Sequence, residues 1–321
     1  MSARLAIILP CLLGAPALAA DLPSLALPVD CVPGETCVIQ KYVDVDGSAA
    51  IADYTCGFLS SDGHQGTDFR ILPGGAANVL AAAAGRVKAT REGMPDNDFT
   101  TPLDVPGTRA CGNAVVLDHG GGVETLYCHM TPGSVAVRSG DEVEQGAVLG
   151  RVGASGQAEF AHVHLQLMVD GKVTDPFTGL AQDEAACGET GTALWNADAA
   201  EALADTPRTA VIAAGFAGGP VTIPAIEAGA VPAALDREAE AIVAYGLGFG
   251  LEKGDRHRLV INGPGVAVEN ETGQDRDQAQ AMRFAGRRVE GGLAPGRYTM
   301  RYTILRDDAV VDEIERTLTV E

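Results

Sequence analysis

The chain has 321 residues, which suggests about two domains, and 46% of the residues are hydrophobic. Its formal net charge of −20 at pH 7 disfavours a nucleic-acid partner, because such a surface repels phosphate backbones. Aromatic residues make up only 5% and there are 40 glycines, so the composition favours turn-rich β structure over helical bundles.

Residues 1–20 have the features of a secretory signal peptide. Arg4 gives a basic start, Leu5–Leu13 a short apolar stretch, and Ala17–Ala19 the small residues that suit cleavage. The apolar stretch is too short to span a bilayer comfortably, and no later stretch is long and apolar enough to do so. We therefore expect a periplasmic or secreted protein with no membrane span in the mature chain.

Six cysteines follow this segment: Cys31, Cys37, Cys56, Cys111, Cys128 and Cys187. An even number in an exported chain indicates disulfide bonds, although six cysteines allow fifteen pairings. Cys111 and Cys128 flank a predicted hairpin and would lie nearly opposite each other. Cys31 and Cys37 enclose a short Pro-Gly loop, which would leave Cys56 to pair with Cys187. All three pairs are hypotheses.

The first half of the mature chain is predicted to be a lead-in and a β-rich module. Residues 21–54 form the lead-in, pinned by a disulfide and long enough to cover a cleft. Residues 55–186 follow, with a clear hairpin at 112–129. In the stretch 162–169, His, His, Gln and Met alternate with Val, Leu, Leu and Val, which predicts a strand with one face in a core.

The second half is predicted to be a linker and a smaller domain. Residues 187–235, rich in Ala, Gly, Thr and Pro, form the linker, with a short helix near Ala197–Ala204. Residues 236–321 contain period-two runs such as Tyr298–Ile304, which predict an immunoglobulin-like β-sandwich. The whole chain is thus predicted to be all-β. His257 lies among charged residues and is predicted to be solvated.

Histidines and one aspartate form a candidate metal site. Residues two apart in a strand point to the same face, so His162 and His164 would lie side by side. His64 and Asp68, much earlier in the chain, could reach the same patch. Two imidazoles and a carboxylate suit catalytic Zn²⁺, with a position left open for water. Because a lone histidine is more often a core or surface imidazole, the prediction depends on the whole set.

At this point the sequence resembles the lysostaphin/LytM-type zinc endopeptidases, peptidase family M23. The matching segments, in the family's order, are Gly63–Phe69, Gly112–Gly120, Thr125–His129, Val143–Gly156 and His162–His164. The resemblance covers roughly residues 56–177. It implies a LytM-type antiparallel β-sheet catalytic domain that hydrolyses peptide cross-links of bacterial peptidoglycan by attack of zinc-bound water.

The resemblance also implies residue roles and partners. One Zn²⁺ per chain would be held by His64, Asp68 and His164. His129 and His162 would hydrogen-bond the metal-bound water, take its proton and stabilise the oxyanion. The partners would be stem or cross-bridge peptides of peptidoglycan.

Two departures from the family pattern leave every ligand in place. Residues 158–161 replace a stretch that often reads Ser-Thr-Gly, and Gln166 stands where the family often has an acid. Phe160 and Glu159 would then lie beside the cleft and alter substrate fit.

Two other functions stay open. One is a catalytically silent wall-binding or amidase-activating factor, although members of that kind usually lack ligands that this chain keeps. The other is an enzyme that acts on ordinary proteins or a foreign wall and is targeted by its C-terminal domain, which would bind wall or a protein partner.

Overall fold

A computed structural model describes residues 22–99 and 105–321, so the predicted signal peptide lies outside the described residues. Strands dominate, and all the paired strands run antiparallel, which confirms the all-β prediction. Within the described ranges, no helix has the length and apolar character needed to cross a membrane.

The N-terminal half contains ten strands and a short 3₁₀ helix (Gly107–Arg109). In chain order the strands are β1 (Cys37–Lys41), β2 (Thr67–Ile71), β3 (Asn78–Leu80), β4 (Gly85–Arg91), β5 (Asn113–Gly120), β6 (Val123–Met130), β7 (Glu142–Val143), β8 (Val148–Arg151), β9 (His162–Val169) and β10 (Lys172–Thr174). Eight of them form one sheet in the spatial order β1-β2-β9-β6-β5-β4-β7, with β10 also paired to β9, and β3 pairs with β8 separately.

The alternation predicted for residues 162–169 places one face of β9 in the core. Val163, Leu165 and Leu167 are buried there, so the histidines between them point to the opposite face. β9 lies between β2 and β6 in the sheet, which places His162 and His164 between the strand of Asp68 and the strand of His129. The predicted hairpin is confirmed as β5 and β6.

The three predicted disulfides are confirmed. Cys31 is bonded to Cys37, Cys56 to Cys187, and Cys111 to Cys128. The last bond joins a residue just before β5 to Cys128 of β6, as the hairpin geometry predicted.

The predicted lead-in and linker both contribute strands to packed sheets. β1 comes from residues 21–54 and pairs with β2 in the large sheet. The predicted helix is confirmed as α1 (Ala197–Ala204), after which residues 187–235 also form β11 (Ala210–Ala217) and α2 (Ile223–Glu227). The proposed domain boundaries therefore fall between elements that pack together.

The C-terminal module consists of β11 and six later strands in two sheets, ordered β11-β12-β15 and β14-β13-β16-β17. The later strands are β12 (Ala241–Leu251), β13 (Arg256–Gly263), β14 (Val266–Gly273), β15 (Gln278–Arg288), β16 (Gly296–Arg306) and β17 (Ala309–Val320). The predicted alternation in β16 is confirmed, since Tyr298, Met300, Tyr302 and Ile304 are all buried in one core with residues of β12. The immunoglobulin-like assignment stays a prediction.

One residue of this module differs from the sequence-based expectation, and one sheet packs on both faces. His257 is 1% exposed rather than solvated, because it shares the core-facing side of β13 with Leu259 and Ile261, where its Nδ1 is 2.8 Å from the Tyr302 hydroxyl. The three-stranded sheet is also covered on both faces. Leu247 and Phe249 pack into the core of the N-terminal half, whereas Ile242 packs into the second core.

Candidate metal centre

Three side chains predicted to be metal ligands converge at one point. The His164 Nδ1 lies 2.8 Å from Asp68 Oδ1, and the His64 Nε2 lies 3.2 Å from the same oxygen. One donor atom from each residue lies within 4.8 Å of the other two. The sequence motifs therefore meet as predicted.

Strand pairing explains how the three ligands come together. Asp68 on β2 is the direct partner of His164 on β9, so their side chains point to the same face of the sheet. His64 precedes β2, and its Nδ1 donates a hydrogen bond to the Tyr42 carbonyl oxygen at 2.8 Å. That bond leaves Nε2 of His64 as the nitrogen that faces Asp68.

The donor set fits Zn²⁺. Ligand bonds of about 2.0–2.1 Å at tetrahedral angles place neighbouring donor atoms about 3.4 Å apart. The separations of 2.8 and 3.2 Å measured from Asp68 require only small adjustments. Neutral imidazole and carboxylate are ligands that Zn²⁺ prefers, and three protein ligands leave a fourth position for water or substrate.

Two further imidazoles lie beside this group. The His129 and His162 ring centroids are 4.4 Å apart, and the His162 Nε2 is 3.7 Å from Asp68 Oδ1. In each ring Nδ1 donates to a backbone carbonyl oxygen, of Ser155 at 2.8 Å for His129 and of Phe160 at 2.9 Å for His162. Each Nε2 is therefore left with a lone pair that can accept a proton.

Local structure holds His129 in an uncommon conformation. Its backbone φ is 65°, in the left-handed region, and its N–H donates to the Cys111 carbonyl oxygen at 2.9 Å. The preceding residue, Cys128, is bonded to Cys111. Gly112 has a φ of 62°, and a Cβ there would lie 2.2 Å from the Ser155 oxygen that accepts the His129 hydrogen bond. A glycine is thus required for Ser155 to approach.

The electrostatics of the group favour an ionised carboxylate and neutral flanking imidazoles. Burial opposes ionisation of Asp68, but the nearby His64 and His162 and the hydrogen bond from His164 outweigh it and hold its pKa well below the usual value. Burial lowers the pKa of His129 well below the usual value and that of His162 to about 4. Both rings are therefore uncharged near neutral pH.

The metal group opens onto a cleft of about 1030 Å³. Lys41 is the one cation among the described residues that line it, and its Nζ lies 3.3 Å from Glu159 Oε2. Phe160 lines the cleft with its ring 4.8 Å from that of His162, so the first departure from the family pattern, residues 158–161, borders the site. Gln166 also lines it.

Several contributors to the site were not predicted. Arg70, fully buried on β2, places its guanidinium 4.6 Å from the centre of the Phe160 ring. Ser155 acts through its backbone carbonyl, which no residue type reveals. Ile223 and Gln280 of the C-terminal half also line the cleft. The period-two position of Arg70 after Asp68 was the one available signal, because it places both side chains on one face.

A β-sheet that holds a His/Asp/His group beneath an open cleft, with two further imidazoles beside it, defines a metallopeptidase type of module. Residues 62–176 match the profile of peptidase family M23, the family that the motifs of this part of the chain resemble.

Individual relatives are similar over shorter stretches. The DD-carboxypeptidase/endopeptidase Mpg of Neisseria meningitidis is 38% identical over 65 residues, which is 20% of this chain and 14% of that protein. The matched stretch is thus only a small part of that relative's length. In the solved SpoIIQ–SpoIIIAH pore-forming complex, one chain is 23% identical with a TM-score of 0.36, covering 52% of this chain and 99% of that one. The catalytic domain of the antimicrobial peptidase lysostaphin from Staphylococcus simulans is 24% identical with a TM-score of 0.26, covering 35% and 75%.

Proposed function

We propose that the chain is an exported zinc endopeptidase that hydrolyses peptide cross-links of bacterial peptidoglycan. The observation that carries the proposal is the convergence of His64, Asp68 and His164 beside two imidazoles whose Nε2 atoms are free to accept a proton. The name of the Neisseria relative, DD-carboxypeptidase/endopeptidase Mpg, supports this substrate class. The predicted signal peptide and three disulfides support export.

Bound Zn²⁺ would polarise the scissile carbonyl and lower the pKa of a water molecule to near neutrality. His64, Asp68 and His164 would hold the ion and contribute one negative charge. His129 and His162 are both neutral and anchored through Nδ1, so each presents a lone pair at Nε2. One of them would accept the proton of the attacking water, donate a hydrogen bond to the developing oxyanion once protonated, and pass the proton to the leaving amine, while the other accepts a hydrogen bond from the water. Because both anchors are backbone carbonyls, neither ring has to reorient during the reaction.

The test is mass spectrometry of products released from purified peptidoglycan of several cross-link types. The mature protein should release muropeptides, lose activity with a chelator and regain it with Zn²⁺. His64→Ala should lose both metal and activity, whereas His129→Ala should keep the metal and lose activity. His119→Gln is the control, because His119 bonds Ala84 and Thr125 outside the metal group.

A silent wall-binding or amidase-activating factor predicts a different outcome. Such a protein would release no products whichever metal is added. Its ability to activate an amidase would be unchanged by His64→Ala. Metal-dependent product release would exclude that alternative. If zinc-loaded protein releases no products, the proposal is rejected.

A further inference from the structure

The C-terminal half of the chain reaches the cleft that contains the metal group. Ile223 and Pro224, at the start of α2, and Gln280 of β15 line the same cavity as His64 and His129. All three lie outside residues 62–176, the part that matches the peptidase family. One side of the cleft is therefore built from two segments that the family match does not include. We call this side, formed by Ile223, Pro224 and Gln280, the wall.

α2 is fixed against the strand that carries a metal ligand. Ile226 is buried in the hydrophobic core, and the Glu227 carboxylate forms a buried ion pair with Arg70. Arg70 lies on β2 two residues after Asp68 and is opposite His162 in the β2–β9 register. The ion pair therefore fixes α2 against β2, the strand that carries Asp68.

The same arginine also fixes β15. Its Nη1 donates to Gln280 Oε1 and to Gln40 Oε1, each at 2.9 Å. Gln40 Nε2 in turn donates to the Ala279 carbonyl oxygen at 3.2 Å. Hydrogen bonds therefore join Gln40 and Arg70 of the N-terminal half to β15 of the C-terminal half. They fix the C-terminal residues that line the cleft in place.

Ile223 and Pro224 give the wall an apolar surface toward the cleft. Ile223 is half-buried and Pro224 is exposed, and both share the cavity with Phe160, whose ring packs on His162. A bound peptide with methyl-bearing side chains would remove apolar surface from water here. A polyglycine bridge has no side chain with which to do so.

We propose that the C-terminal module completes the substrate-binding cleft, and that Ile223 and Pro224 favour alanine-bearing cross-link peptides over glycine bridges. The inference rests on the proposed function, because it concerns the same cleft and the same class of peptide. It assigns specificity to residues of the C-terminal half.

The test measures binding without turnover. Full-length zinc-loaded protein carrying His129→Ala is titrated into fluorescein-labelled peptides of equal length, one an alanine-containing stem peptide and one pentaglycine, and Kd is read from anisotropy. The alanine peptide should bind more tightly. Ile223→Ala in this background should raise its Kd about 3–10-fold and that of pentaglycine less than about twofold.

Matched variants separate the wall from general effects on folding. Pro224→Ser, at an exposed position, should shift Kd in the same direction as Ile223→Ala. Val310→Ala removes a comparable exposed side chain of the same module that does not line the cleft, and it should leave both Kd values unchanged. With His129 intact, Ile223→Ala should raise KM and leave kcat within about twofold.

Equal affinity for the two peptides, or an alanine-peptide Kd that neither wall substitution changes, would overturn the inference. Failure of the intact protein to hydrolyse any peptide would instead reject the proposed function. Because the binding measurement needs no hydrolysis, the two failures are distinguishable.

Discussion

Gly66 and His164 lie in direct contact across the β2–β9 pair. A Cβ on residue 66 would come within 2.6 Å of His164 Nε2 and 2.5 Å of the Leu165 carbonyl oxygen. The glycine between the two ligands of the first motif therefore provides the space that the third ligand occupies.

Gly66→Ala should weaken zinc binding, because the new methyl group must displace the His164 ring or its strand. We expect a loss of about 10–100-fold in affinity, the usual effect of disturbing a ligand's surroundings. Metal titration against a fluorescent chelator measures it. Gly47→Ala, where a Cβ would meet nothing within 4 Å, is the control and should bind zinc normally. Equal affinity in both variants would contradict the prediction.

Removing the Cys111–Cys128 bond should reduce turnover as well as stability. The bond closes a loop with a sequence separation of 17, and its loss should cost about 3 kcal/mol. Because His129 follows Cys128 directly and hydrogen-bonds Cys111, we expect kcat of the double Cys→Ser variant to fall about 10–100-fold at temperatures where it stays folded.

The matched control for that experiment is Cys31→Ser with Cys37→Ser. This bond spans a separation of only 6 and is not adjacent to any proposed catalytic residue. Its loss should lower the melting temperature while kcat stays within about twofold. A similar fall of kcat in both double variants would show that the effect is general loosening.

Breaking one side of the Arg70–Glu227 pair should strongly destabilise the protein. Both side chains are almost completely buried, so Glu227→Gln leaves an uncompensated guanidinium and should cost about 3–5 kcal/mol in urea unfolding. Replacing both residues by Met should recover most of that loss. The exposed pair Arg301–Glu315 is the control, and Glu315→Gln should change stability by less than about 1 kcal/mol.

His257 should make the protein less stable in acid. Burial, with repulsion from Arg283, lowers its pKa to about 4, below its ordinary value of about 6.5. Between these values the unfolded chain binds a proton that the folded chain does not, so stability falls as pH decreases through this window. We expect a contribution of about 1–2 kcal/mol that His257→Gln removes. Urea unfolding at pH 4.5 and 7.5 would test this, and equal pH dependence of the two proteins would contradict it.

The strand geometry within each motif was predictable because its signals are local, whereas the meeting of Asp68 and His164, 96 positions apart, was predicted from the family resemblance. A period-two strand determines where His162 and His164 point, and a short spacing keeps His64 near Asp68. The hairpin placed Cys111 opposite Cys128 for the same reason. Each prediction needed only a strand geometry that a few consecutive residues specify.

The rest of the cleft depends on contacts between distant parts of the chain. Nothing in the residues around Arg70 shows that its charge is paired with Glu227, 157 positions later. The Ala- and Gly-rich composition of residues 187–235 suggested a linker, yet β11 forms there because β12 offers a strand to pair with. The solvated position predicted for His257 was wrong for a similar reason, since its side of β13 packs into a core formed with distant strands.

The bond between Cys56 and Cys187 connects points 131 residues apart, and all five side chains of the proposed zinc site lie between them. A protease that cuts the backbone once anywhere in that stretch would leave two fragments still covalently attached. Strand pairing could then keep the severed ends in register. The site should therefore survive a single nick that would release half of an unbridged molecule.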